Sequence, residues 1–125
     1  MQHLLPIALG GALGAVARYL LSSSAHGLWG WLWPWGTLLV NATGSLAIGV
    51  IFACLERGVV HSELRNVLLV GFLGAFTTFS TYALESVELW LRGQHGHAVV
   101  YAAASAALCI AAAATGIIAT RSLLT

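Results

Sequence analysis

The chain has 125 residues, of which 59% are hydrophobic and only 7% are charged, and its formal net charge is +1. With a mean hydropathy of +0.90, this composition excludes an ordinary soluble domain and indicates an integral membrane protein. All five basic residues are arginines, too few to form a basic surface, so no nucleic-acid partner is expected. Because one membrane span needs about 20 residues, the chain has room for about four spans.

The first predicted span covers residues 4–23, and a Ser/Gly/Trp-rich loop is expected at about residues 24–33. Gly10 and Gly14 have the Gly-xxx-Gly spacing that lets neighbouring helices approach closely. Arg18 is the only charged residue in this span, and two interpretations of it stay open. The side chain either reaches toward the membrane surface or attracts anions at an aqueous vestibule.

The second predicted span covers residues 34–55, with Pro34 suited to its first turn. Four tryptophans at positions 29, 31, 33 and 35 cluster before it, as is typical of a membrane interface. Thr37, Asn41 and Ser45 are spaced i, i+4, i+8 and therefore share one helix face. An asparagine at membrane depth needs partners, so Asn41 either bonds another helix or offers its amide N–H groups to an anion.

The third predicted span, residues 64–91, contains a stretch that a continuous helix accommodates poorly. Residues 71–82 include two glycines, Gly71 and Gly74, and four hydroxyl residues, Thr77, Thr78, Ser80 and Thr81. A glycine costs about 1 kcal/mol in a helix interior, and β-branched residues are stiff there. We therefore predict a helix broken mid-membrane across residues 74–81, where freed carbonyls and helix ends can bind ions. The alternative is a kinked helix whose hydroxyls are satisfied.

Charged residues lie near the end of the third span. Glu88 and Arg92 have the i, i+4 spacing of a surface ion pair, whereas Glu85 follows Tyr82 by three residues and stays a candidate vestibule residue. Arginines divide three to two between the two sides of the membrane, counting Arg18 and Arg92 together. This bias is weak, so the chain is expected to insert in both orientations.

The fourth predicted span, residues 98–120, is mostly alanine and carries a second polar stripe. Tyr101, Ser105 and Cys109 again fall at i, i+4, i+8. Two interpretations stay open, because aligned polar groups in a membrane helix either bond to backbone carbonyls or form an ion track. The predicted fold class is therefore all-α integral membrane, with one four-span domain over residues 1–125.

Residues 36–45 (GTLLVNATGS) and 74–82 (GAFTTFSTY), supported by residues 14–19 (GAVARY), resemble the Fluc (CrcB) family of small membrane fluoride channels. The resemblance extends over essentially the whole chain. It implies an antiparallel, dual-topology homodimer with two pores, which passively exports fluoride from the cytoplasm across the plasma (inner) membrane. It also implies a structural sodium ion at the dimer interface.

The same resemblance assigns roles to individual residues. The backbone carbonyls of Gly74 and Thr77 would hold the sodium ion, and Asn41 would be the pore asparagine. Phe79 and Tyr82 would be the two pore rings, although the family usually has phenylalanine at the second position. The predicted pore further contains Thr37, Ser80, Thr81, Tyr101, Ser105 and Cys109, the last standing where the family often has serine or threonine. Neutral N–H and O–H donors and ring edges can replace the water around a small anion without placing a charge in the membrane.

Two other function classes compete with a channel. A small proton-coupled drug or ion antiporter would need a carboxylate near the middle of a span, whereas the four glutamates are expected at or near span ends. A structural four-span subunit of a membrane complex would explain the small-residue packing but not the break or the polar stripes. The sequence contains no nucleophile–base pair or metal-ligand set that would indicate an enzyme.

Overall fold

The computed structural model describes all 125 residues and is entirely helical. Its elements are α1 (Leu4–Trp29), α2 (Trp35–Glu56), a π-helix (Asn66–Leu73), the single turn α3 (Gly74–Phe76), α4 (Phe79–Leu91) and α5 (His95–Leu123). Four segments are long and apolar enough to cross a membrane: α1, α2, residues 66–91 taken together, and α5. The prediction of an all-α chain with four such segments is confirmed.

The first helix is longer than predicted, because residues 24–29 continue it instead of forming a loop. Ser22 and Ser24 satisfy their own hydroxyls by donating to the carbonyls of Tyr19 and Leu20 in the preceding turn, so they do not interrupt the helix. The helix ends at Trp29, and the next residue, Gly30, has a φ of 81° that is available to glycine at little cost. At the other end of the chain, α5 extends the predicted span 98–120 by three residues in each direction.

Glycines bring the backbones of neighbouring helices together. A Cβ atom at Gly10 would lie 2.7 Å from the Val67 carbonyl oxygen, and one at Gly71 would lie 2.8 Å from the Ile7 carbonyl oxygen. Helix α1 therefore packs backbone to backbone against the π-helix, as the Gly-xxx-Gly spacing indicated. Gly49 and Gly116 make the corresponding close contact between α2 and α5.

The helical path of residues 66–91 is interrupted at only two residues. Thr77 (φ −83°, ψ 155°) and Thr78 (φ −147°, ψ 117°) are extended, whereas Gly74 and Phe79 on either side are helical. The predicted interval 74–81 was thus too wide. Ser80 and Thr81 belong to the first turn of α4, a position at which hydroxyl residues are well tolerated because N–H groups there lack helical acceptors.

All five tryptophans lie at one end of the molecule, where α1 and α4 end and α2 and α5 begin. The ring of Trp33 packs edge-on against Tyr101, and Trp90 lies against His95. We call this region the tryptophan end. The opposite end carries the bidentate ion pair between Arg121 and Glu56, which joins α5 to α2.

Candidate functional site

Asn41 of α2 stabilises the extended backbone at the interruption, Thr77–Thr78. The amide Nδ2 of Asn41 donates to the Thr78 carbonyl oxygen at 2.9 Å, and the Thr78 N–H donates to Asn41 Oδ1 at 2.8 Å. One side-chain amide thus pairs with a backbone peptide in the way that a neighbouring β-strand would. These two hydrogen bonds replace those that the Thr78 peptide loses on leaving the helix, so the break is satisfied internally.

Thr78 also caps the helix that follows. Its Oγ1 accepts from the Thr81 N–H at 3.2 Å, donates to Thr81 Oγ1 at 3.1 Å and lies 3.3 Å from Ser80 Oγ. Threonine is a favourable N-cap, worth about 1 kcal/mol, because its oxygen satisfies an otherwise orphaned N–H group. Thr78 was predicted to lie in the break but was not among the predicted site residues. Its i, i+3 spacing with Thr81, typical of an N-cap, is the sequence feature that indicates this role.

These bonds change the surroundings of two backbone carbonyls. In a continuous helix the Thr78 N–H would bond the Gly74 carbonyl and the Thr81 N–H would bond the Thr77 carbonyl. Here the first N–H bonds Asn41 and the second bonds the Thr78 hydroxyl. The carbonyls of Gly74 and Thr77 have therefore lost their usual helical donors, and Gly74 lies at the protein surface.

A cleft of about 280 Å³ lies beside the break, between α2, α4 and α5. It brings together six predicted site residues, namely Asn41, Thr77, Phe79, Tyr82, Ser105 and Cys109. Ser45 and Thr78 also line it, and no charged side chain does. Ser45 was placed on the Asn41 face by its spacing but was not included in the predicted site. We call this cavity the break cleft.

Several polar groups in the break cleft keep unused donors. Asn41 has two amide N–H groups, of which one bonds Thr78. The hydroxyls of Ser45 and Ser105 take part in no hydrogen bond within the chain. Phe79 is 79% exposed at the edge of the cleft, and its ring centroid lies 5.4 Å from that of Tyr82.

The hydroxyl of Tyr82 is bonded to the backbone of a neighbouring helix. It donates to the Ala102 carbonyl oxygen of α5 at 2.6 Å. This hydroxyl is therefore not among the unused donors of the break cleft. Its ring still lines the break cleft, so the position retains the aromatic character that the pattern predicted.

Arg18 lies in a second cleft, of about 210 Å³, on the other side of Thr78. Its lining includes the hydroxyl residues Tyr19, Ser22, Thr37, Thr78 and Thr81. Arg18 is half-buried and has no carboxylate within ion-pair distance. Thr78 lines both clefts. We call the second one the arginine cleft. It combines a positive charge with several hydroxyls, a composition suited to attracting an anion.

Glu85 connects three helices beneath the tryptophan end. Its two carboxylate oxygens accept hydrogen bonds of 2.7 Å, one from Thr37 Oγ1 of α2 and the other from the Tyr101 hydroxyl of α5. Tyr101 is fully buried and lines neither of the two clefts. The predicted polar stripe on α5 therefore has two parts: Tyr101 bonds Glu85, whereas Ser105 and Cys109 line the break cleft. Glu85 lies about 9 Å before the end of α4.

Comparison with known proteins identifies the family. The sequence model of the family described as "CrcB-like protein, Camphor Resistance (CrcB)" matches residues 5–117. A protein of Geobacter sulfurreducens named fluoride-specific ion channel FluC is 45% identical, over 98% of this chain and 100% of its own. Proteins of the same name from Magnetococcus marinus (90% and 92% covered) and Hahella chejuensis (99% and 98% covered) are also each 45% identical. The chain therefore belongs to the CrcB family.

Proposed function

We propose that this membrane protein is a passive, fluoride-selective channel that exports fluoride from the cytoplasm and so relieves fluoride toxicity. The observation that carries the proposal is the break cleft, an uncharged cavity lined by unused N–H and O–H donors beside a helix interruption. The relatives named fluoride-specific ion channels support it. Plasma-membrane localisation belongs to the same proposal, because export from the cytoplasm requires it.

Neutral donors suit the conduction of fluoride. The ion is small and strongly hydrated, so a dry path has to supply several short hydrogen bonds in place of water. A fixed positive charge inside the path would hold the ion too tightly, because conduction requires binding weak enough for release. The arginine cleft places the one nearby cation, Arg18, outside the break cleft, where it raises the local concentration of anions without trapping them.

We propose that the path runs from the arginine cleft, past the hydroxyls around Thr78, into the break cleft. Thr37, Ser80 and Thr81 surround the first part of this path, and Glu85 with Tyr101 fixes the position of Thr37. Asn41, Phe79, Ser105 and Cys109 belong to the second part. Movement of fluoride along this path requires no protonatable group to change its charge.

The functional unit in this proposal is an antiparallel homodimer of two chains with opposite topology. The break cleft is open on the side of Phe79, whose exposed ring a second copy would cover. Tryptophans normally mark both membrane interfaces, yet this chain has them at only one end. Antiparallel pairing would supply tryptophans to both faces, and the weak arginine bias permits both orientations.

A structural sodium ion fits the donor set of the break. The carbonyl oxygens of Gly74 and Thr77, freed from their helical donors, are hard ligands of the kind that such cations prefer. Two carbonyls from each of two chains would provide four oxygens around the two-fold axis. Bound there, the ion would join the two breaks as a fixed component, and it would not move with fluoride.

The test of function is fluoride efflux from liposomes that contain only the purified protein. We expect fluoride to leave passively, without an imposed proton gradient, while chloride in a parallel experiment is retained. Absence of fluoride efflux under conditions where a FluC relative conducts would refute the channel. Efflux that occurs only with an imposed pH gradient would instead favour the antiporter.

Sodium is tested separately, by replacing it on both sides of the membrane with a large organic cation. We expect dimer stability or efflux to decrease. In liposomes with sodium on one side only, we expect the fluoride flux not to depend on the direction of the sodium gradient. Thr77→Ser is the control, since it keeps the backbone carbonyl and should change little. A fluoride flux that follows the sodium gradient would contradict a structural role.

A further inference from the structure

A second apolar region of the molecule contains a cavity that shares no lining residue with the break cleft. It has a volume of about 420 Å³ and is lined only by apolar or aromatic residues: Trp29, Trp35, Leu38, Leu39, Ala42 and Leu108. At 100° per residue, Leu38, Leu39 and Ala42 fall within a 100° arc of α2, and Gly44, which lines the break cleft, lies 120–160° away from them. We call this cavity the apolar cleft.

We propose that the apolar cleft binds one acyl chain of a membrane phospholipid. It lies between two membrane-spanning helices, α2 and α5, and the side chains of Trp29, Trp35 and Leu108 at its rim are 56%, 41% and 48% exposed. The cleft offers no side-chain acceptor and no charge that a peptide segment or a polar ligand would need. A hydrocarbon chain needs neither, and the surrounding bilayer supplies it.

The position of the cleft matches the depth of a single leaflet. Trp35 is the first residue of α2 and Trp29 the last of α1, so both indoles lie at the tryptophan end, where the headgroup region is expected. From Trp35 to Ala42 the helix rises about 10 Å. This is about two thirds of a leaflet's hydrocarbon thickness of about 15 Å. The cleft therefore begins at the headgroup level and ends within the same leaflet, as an acyl chain does.

The lining also predicts which part of the lipid is recognised. No arginine or glutamate lines the cleft, so the headgroup charge contributes little to binding. Affinity should depend on the length of the acyl chain, because the buried apolar area increases with each methylene group. Phosphatidylcholine and phosphatidylglycerol with the same chains should therefore bind equally.

The experiment is native mass spectrometry of the full chain, purified in detergent and titrated with phosphatidylcholine. We expect the protein to retain one phospholipid per chain, and dipalmitoyl lipid to be retained more strongly than dihexanoyl lipid. Ala42→Leu fills the middle of the cleft and should weaken retention by about tenfold, the effect of displacing about two methylene groups. Ala103→Leu adds the same side chain at an exposed position on α5 outside the cleft and should leave retention unchanged.

A second variant distinguishes weaker lipid binding from misfolding. Leu108→Phe narrows the cleft from its exposed side and should weaken retention in the same direction, while helicity and fluoride efflux stay as in the unmodified protein. Equal retention by the unmodified protein and both cleft variants would overturn the proposal. So would retention of phosphatidylglycerol alone, which would indicate a headgroup site. Retention by monomers but not by dimers would show that a second copy covers the cleft, and would overturn it as well.

Discussion

Asn41 is placed to have two roles, and substitutions can separate them. Its amide clamps the Thr78 peptide through one donor and one acceptor, and its second N–H lies in the break cleft. Asn41→Ala removes both clamp bonds. Asn41→Asp keeps an acceptor for the Thr78 N–H, removes the donor to the Thr78 carbonyl and adds a negative charge beside the proposed ion path.

The expected magnitudes differ for the two variants. A buried polar group left without its partner costs about 1–3 kcal/mol, so losing both partners of the Thr78 peptide in Asn41→Ala costs about 2–6 kcal/mol. A loss of about 2 kcal/mol in local stability corresponds to roughly 30-fold faster amide exchange. For Asn41→Asp, a carboxylate about 4 Å from fluoride opposes it by about 4 kcal/mol at an effective dielectric constant of 20. That is roughly a thousandfold slower flux.

The assay combines hydrogen exchange at the Thr78 amide with fluoride efflux from liposomes. Asn41→Ala should lose the protection of the Thr78 amide and lose flux. Asn41→Asp should keep that protection, since its carboxylate still accepts from the N–H, while it loses flux. Ser45→Ala is the matched control for the clamp, because Ser45 lines the same cleft but bonds nothing, and it should leave exchange unchanged.

Two results would refute this reasoning. If folded Asn41→Ala exchanges the Thr78 amide at the rate of the unmodified protein, Asn41 does not hold the break. If Asn41→Asp forms dimers and conducts fluoride normally, Asn41 does not face the ion path. Each outcome rejects one role and leaves the other intact.

The remaining predictions concern the packing of the break, the second ring and the orientation of the chain. Gly44→Ala should lower the thermal stability in detergent, because its Cβ would overlap the Thr77 methyl group. In the control Gly27→Ala the added Cβ meets nothing within 4 Å, so that variant should be neutral or slightly stabilising. Equal melting temperatures of the two variants would contradict this. Tyr82→Phe loses the bond to the Ala102 carbonyl, at a cost of about 1 kcal/mol, but keeps the ring, so efflux should persist; abolished efflux in a folded dimer would assign the hydroxyl to conduction. A C-terminal tag should be accessible from both sides of the membrane in separate populations, and one-sided labelling would exclude dual topology.

The sequence was sufficient to predict four membrane-spanning segments, because their length and apolar composition are local properties. It did not predict the full extent of α1, since residues 24–33 were expected to form a Ser/Gly/Trp-rich loop and residues 24–29 instead continue the helix. Serine interrupts a helix only when its hydroxyl competes for backbone groups elsewhere. Here Ser22 and Ser24 bond carbonyls of their own helix, which the composition alone does not reveal.

The location of the break depends on contacts between distant residues. Thr78 leaves the helix because its peptide bonds Asn41, which is 37 positions earlier in the chain. Both regions are recognisable in the sequence as polar features of apolar spans, but their pairing is not, since it requires α2 to approach the break closely. Gly44 permits that approach, because any larger residue would meet Thr77 and Phe76. Likewise, the i, i+4 spacing places Tyr101 and Ser105 on one face of α5. Tyr101 nevertheless donates to Glu85, whereas Ser105 lines the break cleft, so the two residues have different surroundings.

The clamp limits what Asn41 can contribute to an ion. One amide N–H is all that remains after Thr78 is bonded, and a single donor cannot replace the hydration shell of fluoride. The other unused donors of the break cleft come from different helices, Ser45 from α2 and Ser105 from α5. In the proposed channel, several helices whose spacing the break fixes would therefore share the coordination of fluoride. Asn41 would then contribute to selectivity mainly through the rigidity that its clamp gives to the break, and less through its own hydrogen bond to the ion.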